Sequence, residues 1–460
     1  MLITVATSTG ARHSLPMSGF GSVATRALST RRPGRRMESK EITGKSRFMV
    51  PARSDRALYP SAEVAAAEAA ARGDTVPVAG ESKIRMLIER IWTTPLYLPF
   101  RRFYGRPIQS AQGELKIARY VLVQIETSDG LVGLGEVSSI FGRHGELYRH
   151  DIDTVLGPAL LHQDARDIAR LSAIMDAALD RAEPAKAGIE MALLDLMGKR
   201  HALPVFRLLG GKQRESVPLS FSVMYGSPEE MGGLAAELVG QGFTTLKVKV
   251  GQSLALDLRA VAAVRAAVGP DTRIRVDANA CWMHLKTALQ HIRALEPYDV
   301  ELIEQPLPAG ALEDLCKLRQ LVGKPIMVDE SVWSPADAWR VLAAGAADVL
   351  NVYVSESGGV LKALRIFEMA RLAGVQTTIG SMPELGIGTA AQIHLGIAAP
   401  EIGFASDVCG ALYFAQDIIR ERLPIRDGRA FPLEAPGLGV TLDEDAVREY
   451  SRPPACQSAA

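Results

Sequence analysis

The period of apolar and polar positions changes along the chain, and the changes divide it. From Lys83 short apolar runs read as strands: Ile84–Ile88, then Tyr120–Thr127 and Leu131–Val137, the last two joined by Ser128-Asp129-Gly130. Asp-Gly between two apolar runs is a hairpin signal, so 83–138 is predicted to form a three-stranded antiparallel sheet. Helical spacing follows near 147–160, 165–180 and 185–201. In the last of these Ala187, Ile189, Met191, Leu194 and Met197 share a face, and Gly210-Gly211 offers a stop. Residues 83–210 are expected to be an α+β domain.

From Val217 short strands alternate with helices. The candidate strands are Leu219–Met224, Thr245–Val250, Arg273–Asp277, Val300–Glu304, Pro325–Asp329, Val349–Val354, Gln376–Ile379 and Ile402–Ala405. Helical stretches such as Ala255–Val268, Leu312–Val322, Pro335–Ala344 and Gly359–Ala373 separate them. This alternation predicts an α/β parallel barrel over 211–423, with catalytic groups at the C-terminal strand ends. An open doubly wound sheet competes with it, weakened because no Gly-x-Gly-x-x-Gly follows a first strand. The segment 424–460 is expected to return to the first domain.

Residues 1–82 follow neither pattern. Met1 to Met37 contains no acid, while Arg12, Arg26, Arg31, Arg32, Arg35 and Arg36 are spaced by Gly, Ser and Thr. The stretch reads as a disordered extension or a start assigned too early, before a Met such as Met37 or Met49. An organelle transit segment is the other reading. Ser61–Arg72 has helix propensity but no apolar face.

Composition narrows the function. Of 460 residues, 47% are hydrophobic and 23% charged, which suits a globular protein with a large core. Lys+Arg and Asp+Glu both number 52, so the footprint of a nucleic-acid binder is missing. No apolar run is long enough for a membrane span. Cys281, Cys316, Cys409 and Cys456 lie far apart, which argues against a zinc or disulfide framework and makes a reducing cytoplasm the expected setting.

The chemistry gathers at the strand ends. In Thr245–Val250 the period of two puts Lys247 and Lys249 on one face and Leu246, Val248 and Val250 on the other. Inside a barrel two lysines need carboxylates or a task, and their mutual repulsion is expected to lower the pKa of one of them toward that of a usable base. Three later strands end in carboxylates, Asp277, Glu304 and Asp329, each one βα unit apart. Each acid alone could cap the next helix. Together, on neighbouring strands, they can converge on a hard divalent cation, Mg²⁺ first and Mn²⁺ second.

With LKVKVG, VDAN, IEQP, VDES, Ser357-Gly358-Gly359 and the tail PGLGVTLD at 436–443, the chain resembles the enolase superfamily over about 83–452. The likeness is to its mandelate racemase/muconate lactonizing enzyme family, and to the muconate-lactonizing subgroup in particular. The resemblance implies a (β/α)7β barrel beneath an N-terminal capping domain, Asp277, Glu304 and Asp329 as Mg²⁺ ligands, and Lys249 as acid/base assisted by Lys247. It also implies a small-molecule carboxylate substrate and a homo-oligomer, dimer or octamer. The expected reaction is a muconate-type cycloisomerization through an enediolate. Dehydration of a hydroxy acid or hydroxylated amino acid is the alternative.

One departure narrows the reaction. Many members of the subgroup carry a lysine five residues before the first Gly of the Gly-Gly pair, and here that position holds Tyr353. A phenol is a poor base at neutral pH, so amino-acid racemization or epimerization, which needs a base on each face, is disfavoured. Tyr353 is read either as a wall of the pocket or as a hydrogen-bond donor or general acid. Glu384 is placed at the barrel mouth by the resemblance, with helix capping as its other reading. Asn279, Asn351, Asp407 and Tyr104 are the candidate substrate-binding residues. The basic loops Arg101–Ile108 and Ser138–His150 suit an anionic substrate or a solvated face, Cys281 is read as pocket wall, and His394 as a satisfied core histidine.

Overall fold

The computed structural model describes residues 85–111, 113–140 and 143–453. The expectations for 1–82 and for Cys456 lie outside these residues.

The first sheet has the order β1-β4-β5, built from β1 (Ile88–Pro99), β4 (Ile117–Thr127) and β5 (Val132–Val137), all antiparallel. A small hairpin, β2 (Ile108–Ser110) and β3 (Gly113–Leu115), projects between β1 and β4. The first strand runs over 88–99 rather than the predicted 84–88. Thr93, Thr94, Pro95 and Pro99 break its apolar pattern, and an edge position tolerates them because its outer N–H groups need no partner.

The Glu183–His201 helix packs on β5 and against the barrel, so Pro184–Gly198 is buried all round rather than on one face. It stops at His201 and not at Gly210-Gly211. Ala202 takes a left-handed φ of 52° and Pro204 follows, after which the chain restarts as one turn over Val205–Leu208.

Seven parallel strands follow: β7 (Ser220–Val223), β8 (Thr245–Lys249), β9 (Arg273–Asp277), β10 (Ile303–Glu304), β11 (Ile326–Val328), β12 (Val349–Val352) and β13 (Gln376–Ile379). The eighth position is held by 403–407 as single backbone contacts rather than a full strand. Ser220 N donates to Ser406 O at 2.8 Å on one side, and Asp407 N donates to Ile379 O at 2.8 Å on the other, which closes the barrel. β6 (Val217–Pro218) pairs with Arg429–Ala430 of the tail. The tail then reaches the first layer, where Leu438 N donates to Asp195 at 2.8 Å.

Two buried carboxylates join the capping layer to the barrel. Glu136 on β5 accepts from Leu385 N and Gly388 N, both at 2.8 Å, at the start of the Gly386–Ala398 helix. Glu190 accepts from Leu361 N at 3.2 Å, at the start of the Val360–Leu372 helix. Each meets unpaired helix N–H groups and the positive end of a helix dipole. Gly359, with φ 129°, has to be glycine here, because a Cβ would strike the Glu190 carboxylate.

Candidate active site

Register brings the lysines and acids together. On β8, Leu246 and Val248, with Val250 just beyond its end, face the helices, and Lys247 and Lys249 point into the barrel. Lys249 pairs across with Asp277, and Asp277 with Glu304, while Glu304 pairs with Met327, two residues before Asp329 on the same face. One carboxylate oxygen each from Asp277, Glu304 and Asp329 lies within 4.8 Å of the others, all fully buried or nearly so.

The electrostatics of the trio suit a cation. Burial pushes Asp329 well above the usual carboxylate range, and its charged neighbours Glu330, Glu304, Glu356 and Asp277 push it further. Burial and Asp277 raise Glu304 to about 7, partly offset by Lys247 and Arg275. Glu304 Oε2 is buried without a hydrogen-bond partner. An orphaned carboxylate oxygen beside two more acids, all oxygen donors, fits a hard divalent ion.

The two lysines differ. Lys249 Nζ donates to Asp277 Oδ2 at 2.6 Å and to Asn279 Oδ1 at 2.9 Å. Lys247 Nζ donates to Asp407 Oδ2 at 2.6 Å and Glu304 Oε1 at 3.1 Å, with Asp277 Oδ2 at 3.7 Å. The expected lowering by repulsion between the lysines does not hold for Lys247. Burial pulls its ammonium down, but Asp407, Glu304 and Asp277 outweigh burial and hold it well above its ordinary value.

The other candidates separate into cavity walls and supports. The cavity over the lysines is lined by both ammonium groups, Tyr353, Asp407 and Ser381, and by apolar residues of the capping loops. Asp407 is at its edge, yet both its oxygens are engaged, Oδ2 by Lys247 and Oδ1 by Arg275 and Ser220. Asn351 lies beneath, donating to Glu304 at 3.2 Å and accepting from Thr378 at 2.6 Å. Asn279, at φ 40°, bridges Lys249 to Glu330. Tyr104 donates to Met224 O at 3.2 Å and does not line the cavity. Neither does Glu384, whose oxygens accept from Ser381 Oγ at 2.5 Å and Met382 N at 3.1 Å, bracing its own loop.

Tyr353 is 2% exposed, and its hydroxyl donates to Asp329 Oδ2 at 3.1 Å. Burial and the charge of Asp329 hold it as a phenol, well above its ordinary range. Its ring lies against Gly380, where a Cβ would collide with it.

The basic loops give the cavity Ile108 and Ile140, while their cations do not line it. Arg106 forks onto Glu230 at 2.6 and 3.0 Å, Arg143 pairs with Asp151 at 2.8 Å, and Arg101, Arg102 and His144 face solvent. Cys281 is exposed and lies outside the cavity. His394 is fully buried, accepting at Nδ1 from Phe206 N, with Leu438 O 3.1 Å from Nε2.

Two supports escape motif reading. Arg275 is fully buried, and its alternation with Asp277 in RIRVD is the signal that turns it inward. Gln305 of IEQP, at φ 32°, accepts from Asp329 N at 2.7 Å and from Ser331 N at 3.3 Å, fixing the loop that carries the third acid.

Among the described residues no helix is long and apolar enough to cross a membrane. Residues 230–446 match the enolase C-terminal domain-like family, and residues 99–210 match the mandelate racemase/muconate lactonizing enzyme N-terminal domain. Muconate cycloisomerase 1 of Rhodococcus opacus is 34% identical over 75% of this chain and 95% of its own length. N-succinyl-L-Arg/Lys racemase of Bacillus cereus is 30% identical over 80% and 98%, respectively. The crystal structure of muconate lactonizing enzyme from Pseudomonas fluorescens with muconolactone superposes with a TM-score of 0.77 at 31% identity, covering 80% of this chain and all of that one. These relatives share a scaffold and differ in reaction. The chain belongs to the mandelate racemase/muconate lactonizing enzyme family of the enolase superfamily.

Proposed function

We propose that this chain is a Mg²⁺-dependent enzyme that acts on a small carboxylate through an enediolate, as a cycloisomerase of the muconate type. Asp277, Glu304 and Asp329 would hold the ion, with Mn²⁺ as a substitute. When bound, the ion supplies positive charge against the substrate carboxylate and so makes its α-proton removable by an amine. Lys249 takes that proton, or returns it, from one face of the substrate. Lys247 stays an ammonium, held by Asp407 and Glu304, and serves as a fixed donor beside the reacting oxygens. Asn279 orients Lys249 through its side-chain oxygen.

The observation that carries this reading is the asymmetry of the two faces. β8 and β12 stand four strands apart in the closed barrel, on opposite walls. β8 brings Lys249, and the opposite wall brings the Tyr353 phenol, which lies in the cavity with it. One base suffices for ring closure or opening and for elimination, whereas epimerization needs two. The racemase relative keeps the two-base reaction in view, and the phenol counts against it here.

A second reading, elimination of water from a hydroxy acid or hydroxylated amino acid, is favoured by the same phenol, a protonated donor facing the cavity. Incubation in D₂O with Mg²⁺ and a panel of lactone acids, muconates, hydroxy acids and N-acyl amino acids tests both. Deuterium should enter the α-position without loss of enantiomeric purity, and Lys249→Ala should slow exchange by about 10²–10⁴-fold. Exchange unaffected by that substitution would remove Lys249 from its role.

A further inference from the structure

Asn279 is held from two sides. Its backbone takes a left-handed φ of 40°, and its N–H donates to Asp277 Oδ1 at 2.9 Å. Its side-chain oxygen accepts from Lys249 Nζ at 2.9 Å, and its side-chain nitrogen donates to Glu330 Oε1 at 3.1 Å. Only this orientation of the amide makes both bonds, because an ammonium can only donate and a carboxylate can only accept. The other partner of Lys249, Asp277, has the ion to serve in the reading above. Asn279 and Glu330 have no such duty.

The other tasks open to Glu330 fall to its neighbours. The Pro335–Ala344 helix is capped by Ser334, whose side chain accepts from Asp337 N. The loop that carries Asp329 is fixed by Gln305, which accepts from Asp329 N and Ser331 N. Arg181 and Arg340, which share a surface groove with Glu330, pair with Asp180 and Asp337. Glu330 Oε2 is buried with no hydrogen-bond partner among the described residues. The side chain that Glu330 does engage is Asn279.

Taking the reading above as its premise, we infer that Glu330 is a positioning residue for Lys249: it holds the Asn279 amide with its oxygen, and not its nitrogen, toward the amine. The direction matters for proton transfer. A neutral amine carries two N–H groups and one lone pair, and the lone pair takes the α-proton. An amide oxygen claims an N–H and leaves the lone pair open to the cavity that Lys249 lines. Turned round, the amide would donate its own N–H into that lone pair and tie up the electrons the reaction needs.

Deuterium exchange by the Mg²⁺-loaded full chain in D₂O tests this, with the acid of the panel above whose α-proton the unmodified chain exchanges fastest. Glu330→Leu should lower the maximal exchange rate about tenfold or more, while KM and Mn²⁺ affinity stay within about twofold. Glu330→Gln, whose side-chain oxygen can still accept from Asn279, should restore most of that rate. Asn279→Gly, which suits the left-handed φ, should cost about as much as Glu330→Leu, and the two together little more than either alone. Glu330→Ala replaces the leucine variant if that one misfolds. Exchange at the unmodified rate in Glu330→Leu, or losses that multiply in the double variant, would overturn the inference and leave the enediolate reading intact. A loss that follows weakened Mn²⁺ binding would overturn it as well, and return Glu330 to the support of Asp329. Exchange undiminished in Lys249→Ala, or absent with every acid of the panel, would overturn the premise and the inference together.

Discussion

The hydroxyl of Tyr353 donates to Oδ2 of Asp329 at 3.1 Å, and among the described residues this is the one side-chain hydrogen bond that Asp329 receives. The charged groups that bear most on Asp329, Glu330, Glu304, Glu356 and Asp277, are acids. The tyrosine therefore fixes the carboxylate of the third acid, which keeps an oxygen within 4.8 Å of Asp277 and Glu304. Tyr353→Phe keeps the ring on Gly380 and removes only this bond. It should weaken Mn²⁺ binding about tenfold, read by electron paramagnetic resonance or calorimetry, with little change in thermal stability.

Without an ion between the three acids, burial and the neighbouring acids oppose the charge of Asp329. Asp329→Asn replaces a buried acid that must either hold its charge against those neighbours or take up a proton on folding, so the metal-free protein should become more stable, with Tm rising by about 2 °C or more per kcal/mol of that cost relieved. Mg²⁺ should raise the Tm of the unmodified chain, and the same variant should lose that rise. Differential scanning calorimetry with EDTA and then with Mg²⁺ reads both effects, and a lower Tm in EDTA would contradict the first.

Asp407 serves the scaffold through Lys247 and Arg275. Asp407→Asn leaves two buried cations short of a counter-charge, a change that costs about 3–5 kcal/mol in comparable buried pairs. Urea unfolding should show a loss of that order. A variant of unchanged stability with a raised KM alone would return Asp407 to substrate binding.

His394 sets a pH limit. In the unfolded chain its imidazole titrates near pH 6.5, whereas burial lowers it to about 4 in the folded protein. Between these values the unfolded state takes up the proton and the folded state does not. The contribution of His394 is therefore whole above pH 6.5 and is lost as the pH falls to about 4, a total of about 3 kcal/mol. The gap in stability between the unmodified chain and His394→Gln should be constant above pH 6.5 and narrow below it. A gap that stays flat down to pH 4 would show that the histidine is not held neutral.

The site was readable from the sequence where chemistry follows strand period. Lys247, Lys249, Asp277, Glu304 and Asp329 all lie at positions where alternation and a recurring βα spacing dictate direction. Arg275 was readable on the same rule, but an arginine two residues before Asp277, with Arg273 at the exposed start of the same strand, draws no attention beside acids. Glu384 and Tyr104 sit on loops, where no period says which way a side chain turns, and both turn from the cavity. The first strand was hidden because an edge position permits the threonines and prolines that blur its pattern. Glu136 and Glu190 could not be found at all, since their partners lie some 170 residues or more further along the chain.

Those two carboxylates reach beyond their own hydrogen bonds. Each ties the sheet-and-helix layer, which brings Ile108, Leu115 and Ile140 to the cavity, to the first turn of a barrel helix, and each relies on a main chain with no room to spare. Grafting this capping layer onto the barrel of a relative would therefore seat its loops over the cavity only if the recipient kept a matching helix start and a residue without a side chain at 359. Without that seam, the grafted loops would be correct in sequence and misaligned with the reacting atoms beneath them.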